Sequence, residues 1–388
     1  MKTRRLYYED CHLSRFTART LRCEQSADRW AVILDATAFY PEGGGQACDL
    51  GTLGSVHVLD VQEQGEEVVH FCDGPLPVGE TVEGQIDYER RFDLMQQHTG
   101  EHIISGLVHA RYGYHNVGFH MGADVITIDF DGPIPAQALT EIEQEANAAL
   151  WKNIPLHIWY PTAEELPTVG YRTKRALPWP VRIVEIPGYD KCACCGVHTK
   201  TTGEVGLVKL FSCIKFKGGV RIEMACGGRA LRYLSAVYEQ NRQVSQAFSA
   251  KILETGEAAR RMNEALDAEK FKVIGLQRQI FSAIADKCRG KGNVIHIQKD
   301  LPSAQVRELA DAMAEACGGI AAVCSPGDGS CNYCLVSRET DLRPLGRELT
   351  AALNGRGGGK SNAQQGSLKA EAAEILAFFR EKGWKISE

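Results

Sequence analysis

Between Ala230 and Cys288 the chain has no proline and few strand formers. Its apolar residues recur at helical spacing, first Leu231, Leu234, Val237, Val244 and Phe248, then Met262, Leu266, Val273, Leu276, Ile280 and Ile284. A helical run of this length does not fit inside a small β-rich core, so it divides the chain. Thr255-Gly256-Glu257 splits the run in two, because an N-cap residue followed by an acid in the first turn marks a helix start. The pattern predicts an antiparallel helical hairpin over residues 231–288, serving as a linker or as a surface for a second copy.

The flanking segments read differently. Residues 1–90 hold short apolar runs (Trp30–Leu34, Val56–Leu59, Val68–Phe71) between turn signals at Gly43-Gly44-Gly45, Gly51, Gly54, Gly65 and Gly74-Pro75, which predicts a small antiparallel β-barrel. Residues 91–230 mix helix and strand: a helix from Leu94 to Arg111 with Asp93 as N-cap and Gly113 as stop, a strand over 125–130, a helix from Ala136 to Trp151, then further strands. Residues 289–388 alternate strand and helix and carry a glycine loop at Gly355–Lys360, which predicts a small α/β domain. The fold class expected is α+β, in keeping with a 388-residue chain too long for one core.

A net charge of -5 argues against a protein coated in basic residues. The charge is uneven, however: Arg172 to Arg232 carries twelve Lys or Arg against four acids, a strip suited to a polyanion. The N-terminus turns acidic before any apolar run begins and no stretch is long enough to span a bilayer, so a cytosolic protein without signal peptide or membrane contact is expected. Most of the fourteen cysteines are scattered and read as core thiols. Cys331 and Cys334 form a CxxC with no second pair nearby and read as structural.

Gln97-His98-Thr99-Gly100-Glu101-His102 places two histidines one turn apart on one helix face, a spacing at which two imidazoles can close on one metal ion. Alone, such a pair more often describes two polar or half-buried histidines. Cys194 and His198 add a CxxxH pair ninety residues on, making a borderline-soft set that suits zinc better than a hard cation. Cys192 and Cys195 remain rival ligands on spacing. A peptidase is disfavoured, since Glu101 precedes the second histidine where the HExxH arrangement places its acid after the first.

HxxxH followed by a cysteine-glycine-histidine turn resembles the editing domain of alanyl-tRNA synthetase and its free-standing relatives, the alanyl-tRNA editing proteins. Phe39–Gln46 followed by Asp49-Leu50-Gly51 resembles the family's glycine-rich motif, Thr202–Gly206 and Arg221–Glu223 resemble its later segments, and Gly355–Gly366 looks like the synthetase's C-terminal domain. With the β module first and no aminoacylation core before it, a free-standing editing protein is expected.

The resemblance implies Zn2+ held by His98, His102, Cys194 and His198, and hydrolysis of tRNA(Ala) mischarged with serine or glycine. The group that activates water is not identified. Gly44, Gly45 and Gln46 are expected to approach the terminal adenosine or a phosphate, with Gln46 as donor, and Thr99, Asn116 and His120 the serine hydroxyl. Arg172, Lys174, Arg175, Lys215, Lys217 and Arg221 are expected to hold tRNA phosphates, and Arg356 and Lys360 the outer corner of the tRNA. A homodimer through the hairpin or the C-terminal domain is a further expectation. The alternative of another class is a non-catalytic tRNA-binding module with a structural zinc. Val197 and the segment Asn116–Gly122 depart from the synthetase pattern.

Overall fold

The computed structural model describes residues 2–173, 179–327 and 329–387. Lys174 and Arg175, expected to hold phosphates, lie outside the described residues. The chain forms two compact units, one up to Gln243 and one from Val244. No helix among the described residues is long and apolar enough to cross a membrane.

The first unit opens with a short strand β1 (Arg4–Arg5), followed by β2 (Arg15–Ser26), β3 (Arg29–Leu34) and β4 (Ala36–Thr37), which pairs in parallel with β1. β5 (Gly51–Leu53), β6 (Val56–Gln64), β7 (Glu67–Cys72) and β8 (Thr81–Ile86) complete this region. Strands β2, β3, β7, β6, β5 and β8 close in that order into a barrel whose neighbours are antiparallel. Their side chains alternate as the two-residue strand period requires: Phe16, Ala18 and Thr20 point inward while Arg15, Thr17 and Arg19 face water. Val32, Leu34, Val58 and Val68 meet them inside.

α1 (Tyr88–Tyr112) leaves the barrel and runs through the middle of the unit. It starts earlier than the sequence pattern indicates. Asp87 is the N-cap, accepting a hydrogen bond from the Arg90 backbone at 3.1 Å, whereas Asp93 pairs with Arg229. The first turns lack an apolar stripe because Arg91 is itself buried. Its guanidinium forms a bidentate pair with Asp49 and also donates to the Ala38 and Cys11 carbonyls at 2.6 and 3.0 Å. Asp49 in turn accepts from the Tyr40 backbone at 2.5 Å, so one buried ion pair pins the glycine-rich loop of the barrel against α1.

β9 (Asn116–Met121), β10 (Ile126–Phe130), α2 (Ala136–Trp151), β11 (His157–Trp159), β12 (Ile183–Ile186), β13 (Asp190–Ala193), β14 (Val208–Phe216) and β15 (Gly219–Cys226) follow. β14, β15, β10 and β9 form a four-stranded sheet, and β11, β12 and β13 a smaller one. The larger sheet packs Ile126, Ile128, Ile222 and Met224 against Ile103, Ile104 and Leu107 of α1 and Ile142, Ala146 and Leu150 of α2. α3 (Gly227–Ala247) begins directly after β15.

The second unit holds α4 (Thr255–Lys287), β16 (Val294–Ile297), α5 (Ser303–Cys317), β17 (Ile320–Gly327), β18 (Ser330–Ser337), α6 (Arg343–Ala352), β19 (Arg356–Lys360), β20 (Ala363–Leu368), α7 (Ala372–Glu381) and β21 (Lys385–Ser387). Its sheet runs β19, β20, β18, β17, β16, β21, with cores on both faces. The glycine-rich stretch expected as a loop is the exposed edge strand β19. Cys331 and Cys334, three apart in β18, fall in different cores, so strand alternation keeps this CxxC from closing on one ion.

Removing one partner of a buried ion pair leaves an uncompensated charge, at a cost of about 3–5 kcal/mol. Asp49→Ala is therefore expected to destabilise the first unit by about that amount in denaturant unfolding; a loss below about 1 kcal/mol, the range of an exposed pair, would show that Arg91 is not anchored as described.

Candidate functional site

Every residue of α1 from Leu94 to Val108 is buried. His98 and His102 thus sit inside the unit, their rings 5.3 Å apart between centroids. The turn after β13 brings Cys194 and His198 to the same point. One ligand atom from each of His98, His102, Cys194 and His198 lies within 4.8 Å of the others. The Cys194 Sγ is 3.5 Å from His98 Nε2 and 3.4 Å from His198 Nε2. Three imidazoles and a thiol at this separation are a donor set that could hold a metal ion. Of the rival thiols, Cys192 lies instead with His102 and Asp190, and Cys195 is exposed.

Each histidine has its remaining ring nitrogen fixed from behind, as metal ligands require. His98 Nδ1 is 2.8 Å from Gln46 Oε1, which also accepts the Val197 backbone N–H at 3.2 Å. That second donor identifies the atom as oxygen, so Nδ1 carries the proton and Nε2 keeps its lone pair toward Cys194. His102 Nδ1 is 2.9 Å from Asp190, whose carboxylate is gripped by Arg172 at 2.7 and 2.9 Å. His198 Nδ1 is 3.2 Å from the Thr99 hydroxyl, which also accepts the Thr199 backbone N–H. β13 reaches α1 this closely because Gly106 has no side chain: a Cβ there would lie 2.2 Å from the Tyr189 carbonyl oxygen. Arg182 secures the cysteine turn, donating to the Cys194 and Gly196 carbonyls at 2.9 Å each while its guanidinium lies 4.5 Å from the Tyr8 ring centre.

Three of the four donors, His98, His102 and Cys194, border a cavity of about 440 Å³, within the roughly 300–1,000 Å³ of small-molecule sites. Gly44, Gly45, Glu101, Asn116 and Phe119 line it as well. At Gly45 the backbone takes φ +85°, and a Cβ would come 2.9 Å from the Phe119 ring. Gln46 and Thr99 do not line the cavity; their polar atoms stand behind His98 and His198. His120 points to solvent, and its neighbour Phe119 faces the site. An irregularity in the β9–β10 register near Asn116 upsets simple alternation and turns both Asn116 and Phe119 inward.

The expected phosphate contacts fare unequally. Arg172 is engaged by Asp190, and Arg221 is held bidentate by Asp129 with its guanidinium 3.8 Å from the Phe216 ring centre. Lys215 and Lys217 are exposed at the β14–β15 turn, as are Arg356 and Lys360 on β19. The residues missed in the sequence are Glu101 as a cavity wall, and Asp190, Arg182 and Tyr8 as supports. Asp190, Arg182 and Tyr8 have no local motif, since each acts across more than eighty residues of chain or through backbone carbonyls, whereas Glu101 lies within the HxxxH stretch and its partners Ser105 and Asn116 are near in sequence.

Electrostatically the cluster favours a charged pair. Burial opposes charge on His102, but hydrogen bonds to Asp190 and Cys194 outweigh it and hold its pKa well above the usual histidine value. Burial also opposes the Cys194 thiolate, yet the three surrounding histidines bring its pKa well below that of a free thiol. His198 is pushed down to about 3 by burial and then by His98. At neutral pH the metal-free site therefore pairs a Cys194 thiolate with a His102 imidazolium. A divalent ion must displace the His102 proton, so its affinity should rise with pH through the neutral range. Calorimetric metal titration in buffers of different ionisation enthalpy is expected to show release of about one proton per ion at pH 7. Release of none would mean that His102 stays outside the coordination shell.

Two family models match the chain: tRNA synthetases class II (A) over residues 4–90, and the threonyl and alanyl tRNA synthetase second additional domain over residues 181–223. The chain is 31% identical over 386 residues to an alanine–tRNA ligase of Thermofilum pendens, covering 94% of this chain and 42% of that one. It thus spans about two fifths of the ligase's length. It is 25% identical over 402 residues to the alanyl-tRNA editing protein Aarsd1 of Danio rerio, covering 97% of both chains, and 29% identical over 289 residues to Aarsd1-B of Xenopus laevis, covering 73% and 70%. Among solved structures, the C-Ala domain of Aquifex aeolicus alanyl-tRNA synthetase matches at 20% identity and a TM-score of 0.22, over 24% of this chain and 92% of that one. The chain is thus similar over nearly its whole length to alanyl-tRNA editing proteins, with family-model matches at residues 4–90 and 181–223.

Proposed function

We propose that this protein hydrolyses the aminoacyl ester of tRNA(Ala) mischarged with serine, and also with glycine, at a zinc held by His98, His102, Cys194 and His198. The observation that carries this reading is the convergence of four soft-to-borderline donors, each histidine individually oriented and three of the four on the wall of a small-molecule cavity. Relatives along nearly the whole chain are named for alanyl-tRNA editing. The task is physically reasonable: a pocket shaped for alanine discriminates against one added hydroxyl or one missing methyl only by roughly 10- to 200-fold, so a second sieve improves fidelity.

Zinc bound there would supply Lewis acidity toward the ester carbonyl or toward water. The protein's own residues provide the rest. Gln46, Asp190 and Thr99 keep the imidazole lone pairs aimed at one point. Gly44 and Gly45 allow backbone to approach the 3' adenosine, and Phe119 offers it an apolar wall. Lys215 and Lys217 meet phosphates with little sequence reading, as do Arg356 and Lys360 of the second unit. A second copy is proposed to dock on α4, where Leu266, Val273 and Ile280 repeat at seven-residue intervals and are each more than half exposed. The cytoplasm is the proposed location.

One observation favours a second reading. Four protein donors complete the tetrahedral shell typical of structural zinc, which would leave a tRNA-binding module without turnover.

Deacylation separates the two. Serine-charged tRNA(Ala) should be hydrolysed much faster than alanine-charged tRNA(Ala), and Cys194→Ala or a chelator should lower the rate by at least about 100-fold. Equal hydrolysis of both charged forms, or tight tRNA binding without hydrolysis, contradicts the proposal. Replacing Lys215 and Lys217 by Glu should weaken tRNA binding and reduce its salt slope by about 1 per lost contact; an unchanged slope places the tRNA elsewhere.

A further inference from the structure

Among the described residues that line the metal-side cavity, Glu101 is the one carboxylate. It is 4% exposed, and a buried carboxylate is expensive unless compensated. Its compensation is lopsided. Oε1 accepts from both the Ser105 hydroxyl and the Asn116 amide. Asn116 is itself fixed, since its Oδ1 accepts the Gly118 backbone N–H at 3.1 Å. Oε2 has only His102 Nε2 at 3.9 Å, beyond hydrogen-bond reach, and that nitrogen belongs to the donor cluster. The other cation on the cavity wall, Arg172, is gripped by Asp190 through both Nε and Nη2. When His102 is neutral as a metal ligand, the cavity presents one anchored carboxylate oxygen with no hydrogen-bonded cation, one residue along from a donor histidine.

We propose that Glu101 Oε2 receives the α-ammonium of the aminoacyl group, making this a site selective for aminoacyl esters with a free amine. This rests on the deacylase reading above and deepens it. In an aminoacyl ester the ammonium and the ester carbonyl are separated by a single carbon. Anchoring the ammonium at Glu101 thus brings the carbonyl beside His98, His102 and Cys194. The rigid grip on Oε1 matters because it fixes the direction of Oε2 before the ligand arrives, so little ordering is left for binding. The same arrangement disfavours acyl groups without a positive nitrogen, which would leave Oε2 desolvated and unpaired. Glu101 is here a substrate-positioning residue, and no proton transfer is assigned to it.

The test uses two non-hydrolysable probes on the full-length, zinc-loaded protein: 3'-deoxy-3'-(L-serylamino)adenosine and its 3-hydroxypropionyl counterpart, which lacks only the α-amine. Calorimetry should show the seryl probe binding about 10- to 100-fold more tightly. Glu101→Gln keeps the acceptor for Ser105 and Asn116, so it should weaken the seryl probe by a similar factor and leave the hydroxypropionyl probe unchanged. Equal binding of the two probes to the unmodified protein overturns the proposal whether or not the variant folds. So does a variant of unaltered zinc content that weakens both probes alike, which marks a merely structural role. If the probes bind equally while serine-charged tRNA(Ala) is still hydrolysed, only the ammonium site fails. If neither probe binds and no charged tRNA is hydrolysed, the deacylase reading falls with it.

Discussion

A helix buried on every side while carrying polar side chains sets the terms for the whole first unit. Leu94 to Val108 of α1 are all buried, yet the stretch includes Gln96, Gln97, His98, Thr99, Glu101, His102 and Ser105. Each buried polar group left unpaired would cost about 1–3 kcal/mol, so surrounding elements must deliver a partner to each. Gln96 donates to the Glu204 carbonyl at 2.9 Å, and Gln97 exchanges hydrogen bonds with the Cys226 backbone at 2.8 and 3.0 Å. The barrel supplies Gln46, β13 supplies Asp190, the cysteine turn supplies Thr199, and β9 supplies Asn116. The Arg91–Asp49 pair fixes the first of these contributions by seating the barrel loop on the start of the same helix.

At the metal-side cavity this satisfaction is incomplete for the side chains of α1 itself. The side chains of His98, His102 and His198 and the Cys194 sulfur converge beside it, and Oε2 of Glu101 is left there without a hydrogen-bond partner. Chemical capacity arises from that gap. The histidines are aimed by groups that prefer to stay in place, because Gln46, Asp190 and Thr99 are themselves buried. The rigidity of the supports is what distinguishes this cluster from histidines that merely share a helix face.

Much of this plan was legible in the sequence. α2 has the bounds its apolar pattern indicates, and the HxxxH and CxxxH spacings point to the four side chains that the fold gathers. What periodicity could not reveal was long-range pairing. Arg91 adds nothing to an apolar pattern although Asp49 holds it in the interior, so periodicity places the start of α1 several residues late, at Leu94 with Asp93 as N-cap. Arg172 and Arg221 read as free cations for the same reason, although Asp190 and Asp129 hold them. Thr99 was assigned to the substrate because a helix face shows which residues are neighbours without showing what stands behind them. His120 and Phe119 exchanged roles because one register irregularity in β9 breaks the two-residue alternation.

The central claim is that one metal ion is held by three imidazoles and a single thiolate drawn from α1 and the turn after β13. X-ray absorption spectroscopy at the zinc edge of the loaded protein tests it most directly. The account predicts one sulfur scatterer at about 2.3 Å and three nitrogens at about 2.0–2.1 Å, with the sulfur contribution lost in Cys194→Ala. A shell with two sulfurs, or one of oxygen and nitrogen alone, would contradict it.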